Sequence, residues 1–246
     1  MGIGSKLARL LYPARVPVPQ VDLTDEELEA WIEATEDAYF KTLDHAFVER
    51  ARSLGVDGGM VLDVGSRLGL VAMKLLWDEE DLLCMGVYRT LQIAEGAREI
   101  AEDWKLSERM FFQVGEPTQM KFKTGYFDMV VSDGALHSFQ NPMETLREIH
   151  RVTKPTGAIL VRELRRPNRF GFSRHVNRHG ANYRGLLRNR FEADVRAGFT
   201  PIEFGAFAKA AGVERARIVA EETHIILERP GTNDPASWLR EREKYM

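Results

Sequence analysis

The sequence predicts an α/β fold: a doubly wound, mostly parallel seven-stranded sheet with an antiparallel terminal hairpin, preceded by a helical segment and carrying an Arg-rich insertion. Three observations predict it. Short apolar runs recur at residues 60–64 (MVLDV), 82–87 (LLCMGV), 109–114 (RMFFQV), 127–132 (FDMVVS) and 157–162 (GAILVR). Helical periodicity fills the stretches between them at 68–77, 90–104 and 142–152. Near-continuous apolar strands joined by crossover helices form a parallel sheet covered on both faces, with ligands at the carboxyl ends of the strands. Finally, 215–220 (RARIVA) and 223–228 (THIILE) lie close enough together to form a hairpin, which adds two antiparallel strands at one edge.

Each element carries its own signals. Residues 22–54 open with Thr24 and Glu27 in capping-box spacing, followed by apolar residues at helical intervals (Leu28, Trp31, Ile32, Tyr39, Leu43, Phe47, Leu54), so this segment is predicted to be mostly amphipathic helix. Asn141, Pro142 and Glu144 have the residue types of an N-cap, N1 and N3. Thr200, Pro201 and Glu203 repeat that signature before a helix that runs to Ala211 and stops at Gly212. Residues 165–197, rich in Arg, Asn, Gly and His, break the alternation and are read as an insertion. The expected division is an N-terminal helical segment or lid (1–54), a main domain (55–229) with the insertion at 165–197, and a loosely held tail (230–246).

Composition narrows the class. With 44% apolar and 29% charged residues over 246 positions, the chain has the make-up of a globular domain. No apolar run approaches the roughly 20 residues that span a bilayer, so no membrane role is expected. Cys84 is the only cysteine, which excludes an internal disulfide or a multi-thiolate zinc site and fits a reducing compartment. The N-terminus has no long apolar stretch of signal-peptide type, and a cytoplasmic location is expected. The net charge of −3 hides an asymmetry. Residues 22–49 hold ten acids and one base, whereas residues 162–196 hold ten arginines and three acids, so the two segments are candidates to pair.

The run Val61, Leu62, Asp63, Val64, Gly65, Ser66, Arg67, Leu68, Gly69 reads as a strand, a tight turn and a helix start, where free backbone N–H groups and close backbone approach suit a cofactor. A dinucleotide fingerprint would require Gly at position 67, so NAD is disfavoured. Taken with its successors, the run resembles motif I of the class I S-adenosylmethionine-dependent methyltransferases, VLD-x-G-x-G-x-G. Five further stretches agree in order: GVYRTLQIAEGARE (86–99), GEPTQMKF (115–122), FDMVVSDGALH (127–137), NPMETLREIHRVTKPTGAILV (141–161) and FTPIEFGAFAKAAG (199–212). The resemblance spans about residues 55–229 and implies a Rossmann-like fold, S-adenosylmethionine as cofactor and transfer of a methyl group.

It also implies roles for particular residues. Asp63, Gly65, Ser66 and Gly69 would hold the methionine moiety, Tyr88 and Arg89 would lie at the ribose, and Glu116 and Pro117 at the adenine. Ser132 would offer its backbone at the methionine end, and Tyr39 would cover the cofactor. His137 is the first candidate for a base and Asp133 the second, since methyl transfer is an in-line displacement needing alignment, exclusion of water and removal of a proton. Two positions depart from the family pattern. Arg67 replaces the middle glycine of motif I, pointing either inward or outward, and Tyr88 replaces the acid that bonds both ribose hydroxyls.

The Asp/Asn-Pro-Pro-Tyr-like motif of amino-methylating enzymes is absent, since the corresponding residues are Ser132, Asp133, Gly134 and Ala135. A small-molecule acceptor is therefore expected. The arginines of the insertion, Arg174 and Arg178 above all, are candidates to receive an anionic one by bidentate contacts. Nucleic acid is disfavoured, because the aromatics of the insertion match no RNA-binding motif and the chain is acidic overall. No metal site is signalled, and the oligomeric state is left open. Tyr88 and Arg67 also motivate an alternative: a degenerate methyltransferase-like binding module, or a protein in which Arg67 and Arg89 hold a different nucleotide.

Overall fold

Seven strands form one sheet in the order β3-β2-β1-β4-β5-β7-β6. The structure, a computed structural model, describes residues 11–18 and 24–232. Two helices, α1 (Asp25–Ala34) and α2 (Ala38–Arg52), precede the sheet. The alternating part follows: β1 (Gly59–Val64), α3 (Leu70–Asp78), β2 (Leu82–Tyr88), α4 (Leu91–Asp103), β3 (Met110–Val114), β4 (Phe127–Asp133), α5 (Pro142–Val152) and β5 (Thr153–Leu164). Then come α6 (Phe172–Gly180), α7 (Gly185–Ala197), α8 (Pro201–Ala210), β6 (Arg217–Ala220) and β7 (His224–Arg229). Strands β1 to β5 pair in parallel, while β7 is antiparallel to both β5 and β6, as the hairpin signal predicts. The strand order reverses at β1, between β2 and β4, which places the ligand crevice at their carboxyl ends.

The sheet is covered on both faces. Phe47 and Val48 of α2, Met73 and Leu76 of α3 and Ala97 of α4 pack against one face with Val61, Cys84 and Val131. Leu146 and Ile149 of α5 and Phe204 of α8 cover the other with Leu62, Val130 and Ile159. This two-sided burial explains why the strands read as continuous apolar runs rather than alternating ones.

Most local signals act as expected. Thr24 and Glu27 form a reciprocal capping box, and so do Thr200 and Glu203. Asn141 stands at the N-cap of α5 but makes no side-chain capping bond; its carbonyl accepts from Thr145 N–H, and Pro142 occupies N1. Helix α3 begins at residue 70 rather than 68, because Leu68 (φ 51°) and Gly69 (φ 69°) are both left-handed and continue the turn. The N-terminal segment, expected to be mostly amphipathic helix, forms two helices interrupted at 35–37, where Asp37 caps the second by accepting from Tyr39 N–H at 2.8 Å.

The insertion is helical. Its arginines obscure an apolar stripe, and Phe172, Val176, Phe191 and Val195 form a small cluster of their own with Leu164. The first residues of the predicted tail are held, with Gly231 N–H donating to Leu54 O and Thr232 N–H to Thr156 O, both at 2.8 Å. Residues 233–246 of that tail lie outside the described residues. The charge asymmetry resolves partly into contacts between the two segments, Glu27 with Arg190 at 2.8 Å and Asp37 with Arg184 at 3.6 Å. No helix among the described residues is long and apolar enough to cross a membrane.

Candidate functional site

A cleft opens over the carboxyl ends of β1, β2 and β4. Gly65, Arg67 and Tyr88 form its floor, and Asp133, Gly134 and His137 one side. Trp31 of α1 and Tyr183, Arg190 and Asp194 of the insertion form the roof. Helix α1 and the insertion, distant in sequence, thus meet over the strand ends.

The turn after β1 has the conformation that glycine supplies. Gly65 has φ +69°, and a Cβ there would stand 2.8 Å from the Phe139 ring. Asp63 is fully buried, and desolvation lifts its pKa to about 6. Its Oδ2 accepts from the Tyr88 hydroxyl at 2.8 Å, and Ser66 is its other partner. Ser66 accepts the Asp133 N–H at 2.9 Å through Oγ, and Ser132 Oγ donates to Val64 O at 2.7 Å, so both hydroxyls tie β1 to β4.

Tyr88 is turned inward. Its side chain is 1% exposed, stacks near Phe112 and occupies the space that a Cβ on Gly69 or Gly86 would need. Arg89 lines the cleft beside it. Arg67 also points inward: its guanidinium lies 4.4 Å from the centre of the Trp31 ring and 5.3 Å from that of Phe40, within 3.6 Å of Asp133. Two aromatic faces and a carboxylate compensate its charge.

The two candidate bases are both ion-paired. Asp133 receives Arg162 Nε at 2.7 Å and Nη2 at 2.8 Å. Burial alone would raise its pKa, but Arg162 and Arg67 outweigh that and hold it at about 2. His137 Nδ1 lies 2.8 Å from Glu163 Oε2, and its Nε2 lies 3.7 Å from Asp194 Oδ1. Burial opposes the charge on this ring, yet the two carboxylates raise its pKa to about 9. The carboxylates on either side of His137 favour its charged form, and Asp133 is held in a bidentate pair, so each candidate base faces a committed counter-charge. The expectation from sequence placed both residues at the strand end, where they line the cleft, but had no view of these partners.

Other expected residues lie elsewhere. Arg174 and Arg178 are exposed and do not line the cleft; Arg178 pairs with Glu222 at 3.1 Å. Periodicity explains this: Phe172 and Val176 turn the apolar face of α6 inward and leave these arginines outside. Arg166, by contrast, is 1% exposed and paired with Glu203. Glu116 is exposed and Pro117 buried, and neither borders this cleft. Tyr39 packs edge-on against Phe40 and Tyr183, and Trp31 covers the cleft in its place.

Sequence reasoning missed Glu163, Arg190, Asp194 and His224. A signal existed for the first: Arg162 and Glu163 interrupt a central apolar strand, and buried charges in such a strand imply partners. Asp194 carried none, being one acid among many arginines. The rings of His175 and His179 lie 4.6 Å apart, tilted by 55°, yet among the described residues no group of three or more His, Cys, Asp or Glu is placed to hold a metal.

Comparison with known proteins finds methyltransferases among both the relatives and the solved structures. The model of a methyltransferase domain family matches residues 62–161. A squalestatin hexaketide synthase of Phoma is 32% identical over 111 residues, which are 45% of this chain and 4% of that protein. The uncharacterized methyltransferase YcgJ of Bacillus subtilis is 26% identical over 180 residues, 67% of this chain and 70% of that one. Among solved structures, a candidate S-adenosyl-L-methionine-dependent methyltransferase of Methanococcus maripaludis superposes with a TM-score of 0.67 at 15% identity, covering 89% of this chain and 98% of that one. The low identity of that structure speaks to fold alone.

Proposed function

Since the chain belongs to the class I S-adenosylmethionine-dependent methyltransferases, we propose that it methylates a small molecule held in the roofed cleft, by in-line displacement. S-adenosylmethionine is its cofactor. The observation that carries the choice of acceptor is the roof: Trp31 from α1 and Tyr183, Arg190 and Asp194 from the insertion converge over the strand ends. A covered cleft suits a small acceptor and keeps water from the reacting atoms.

The residues present fit the cofactor at its methionine end. Asp63, buried beneath the turn and held by Tyr88 and Ser66, fixes the strand end, and the left-handed turn at Gly65 brings backbone close to a ligand. Gly134, at φ +63° with nothing within 4 Å of a Cβ position, leaves open space on the β4 side. At the ribose end the fit is weaker, because the Tyr88 hydroxyl is already committed to Asp63, and Arg89 and Thr90 are the polar residues left there. When bound, the cofactor supplies an electrophilic methyl group on a sulfonium. The chain's contribution is placement: Arg67 brings a cation to the floor for a carboxylate, and the roof excludes water.

Titration calorimetry with S-adenosylmethionine and S-adenosylhomocysteine tests this reading, beside Tyr88→Phe. Loss of one hydrogen bond to a charged group costs about 1.5–3 kcal/mol, so Tyr88→Phe should be less stable by roughly that amount. The variant leaves Asp63 with Ser66 as its remaining partner and is expected to change cofactor affinity. Micromolar binding by the native chain supports the reading. No heat at millimolar ligand with either protein would sink it and leave the degenerate binding module.

A further inference from the structure

Two of the groups lining the cleft, His137 and Asp194, face each other as a long ion pair. His137 Nε2 and Asp194 Oδ1 stand 3.7 Å apart, beyond hydrogen-bonding distance, and Oδ1 has no hydrogen-bond partner among the described residues. The far side of each is already fixed. His137 Nδ1 meets Glu163 Oε2 at 2.8 Å, and Glu163 itself accepts from the backbone N–H of Leu136 at 2.6 Å and of His137 at 3.3 Å. Asp194 has Arg190 Nε at 3.6 Å, and Arg190 is tied to Glu27 at 2.8 Å. Each ring nitrogen of His137 faces a carboxylate, Glu163 at Nδ1 and Asp194 at Nε2, so both nitrogens are placed as donors and Nε2 is a donor on the cleft wall beside a buried carboxylate acceptor. Buried polar groups are rarely left without a hydrogen bond, and here one ligand atom bridging the two from the cleft side would satisfy both.

That atom must accept and donate at once. A hydroxyl oxygen does so and still keeps a second lone pair for attack after accepting from Nε2–H. An amine nitrogen that accepted from Nε2–H would have used its only lone pair, and a carbon acid has none. We propose that His137 and Asp194 form the acceptor-binding pair of this transferase and that the acceptor is an alcohol or phenol, methylated on oxygen. The inference rests on the methyltransferase reading above. In the step, the acceptor O–H bond breaks, its proton passes to Asp194 Oδ1 and its electron pair stays on oxygen. A new O–CH3 bond forms as the S–CH3 bond breaks, and sulfur keeps that electron pair, leaving S-adenosylhomocysteine. His137 steadies the developing negative oxygen without giving up its proton. Glu163 is a positioning residue that fixes the ring.

Phenol is the probe and toluene its control, using the full chain saturated with S-adenosylhomocysteine and 15N NMR of the His137 ring. Phenol should move the Nε2 resonance saturably, and toluene should not. Asp194→Asn should weaken phenol binding tenfold or more, as expected for losing a hydrogen bond to a charged group. Its affinity for S-adenosylhomocysteine should stay within twofold, which also shows that the variant is folded. A resonance unmoved by phenol up to its solubility limit, moved equally by toluene, or moved with unchanged affinity in Asp194→Asn overturns the proposal. The phenol and toluene comparison needs only the native chain, so it decides even where the variant fails to fold. Failure of the native chain to bind S-adenosylhomocysteine by calorimetry would instead remove the reading beneath it.

Discussion

His137 and His224 line the same cleft, one on the wall made by the turn after β4 and the other on the wall made by β7. The first lies between Glu163 and Asp194 and is raised to about 9. The second is pressed down by burial and by the nearby charges of Arg162 and Arg67 to about 3. Both rings are buried, so desolvation acts the same way on each, and the sign of the neighbouring charge decides between them. The cleft therefore has an acidic wall holding a charged histidine and a basic wall holding a neutral one. Residue type alone assigns neither role.

The sharpest break in this arrangement is expected at Arg162. Its guanidinium is 4% exposed and bridges Asp133 to the Leu43 carbonyl of α2, so it anchors the basic wall to the helix above it. Removing one partner of a buried pair leaves an uncompensated charge and costs about 3–5 kcal/mol. Arg162→Met should lose stability in that range by urea denaturation. Adding Asp133→Asn should recover part of it, because the carboxylate that Arg162 leaves behind is then neutral, while Arg67 loses the same partner. A double variant as unstable as the single one would show that Arg162 acts through packing against Phe47 and not through its charge.

The two walls also predict opposite limbs in stability against pH. His137 titrates higher in the folded protein than its ordinary value of 6.5, so its contribution is complete below pH 6.5 and is lost as pH rises through about 9. His224 titrates lower, so its contribution is present above pH 6.5 and is lost as pH falls toward about 3. Asp133, held at about 2, extends the acid limb below its ordinary 3.8. Asp63 opposes that limb: its elevated value near 6 adds stability at low pH that is lost on rising from 3.8 through 6. The interval from pH 6.5 to 9 isolates His137. A shift of this size corresponds to an effect on the order of 3 kcal/mol. Thermal melts across that interval should fall for the native chain and flatten for His137→Gln. An unchanged slope in the variant would mean that the two carboxylates do not hold the ring charged.

The comparison also explains how far the sequence could be read. The sheet was legible because β1 to β5 are buried on both faces and leave uninterrupted apolar runs, and because glycine at 65 and 69 marks a turn needing positive φ. The walls of the cleft were legible only as positions. His137 and Asp133 follow from their place at the end of β4, but their protonation depends on Glu163, Asp194 and Arg162, which lie 26 or more residues away in sequence. Tyr88 shows the same limit, since its direction is set by the space above Gly69 and Gly86 and by the lone acceptor Asp63. The roof was least legible. In α7 the arginines mask the apolar stripe, so Asp194 could not be told from a solvated acid.

The smallest effect belongs to the residues that composition made most conspicuous. Arg174 and Arg178 stand on the outer face of α6, while Arg190 on α7 reaches the roof of the cleft and pairs with Glu27 of α1. Surface substitutions away from special features change stability by no more than about 0.5 kcal/mol. Arg174→Ala combined with Arg178→Ala should therefore leave the melting curve and cofactor affinity unchanged, and affinity for phenol with them. Arg190→Ala should weaken phenol binding through Asp194, which would lose its neighbouring cation, while the exposed part of its pairing with Glu27 contributes at most about 1 kcal/mol. If the outer pair matters and Arg190 does not, acceptors are captured over the surface of α6 rather than between the two walls. The charge of the insertion would then act before binding, a distinction that the salt dependence of the on-rate would expose.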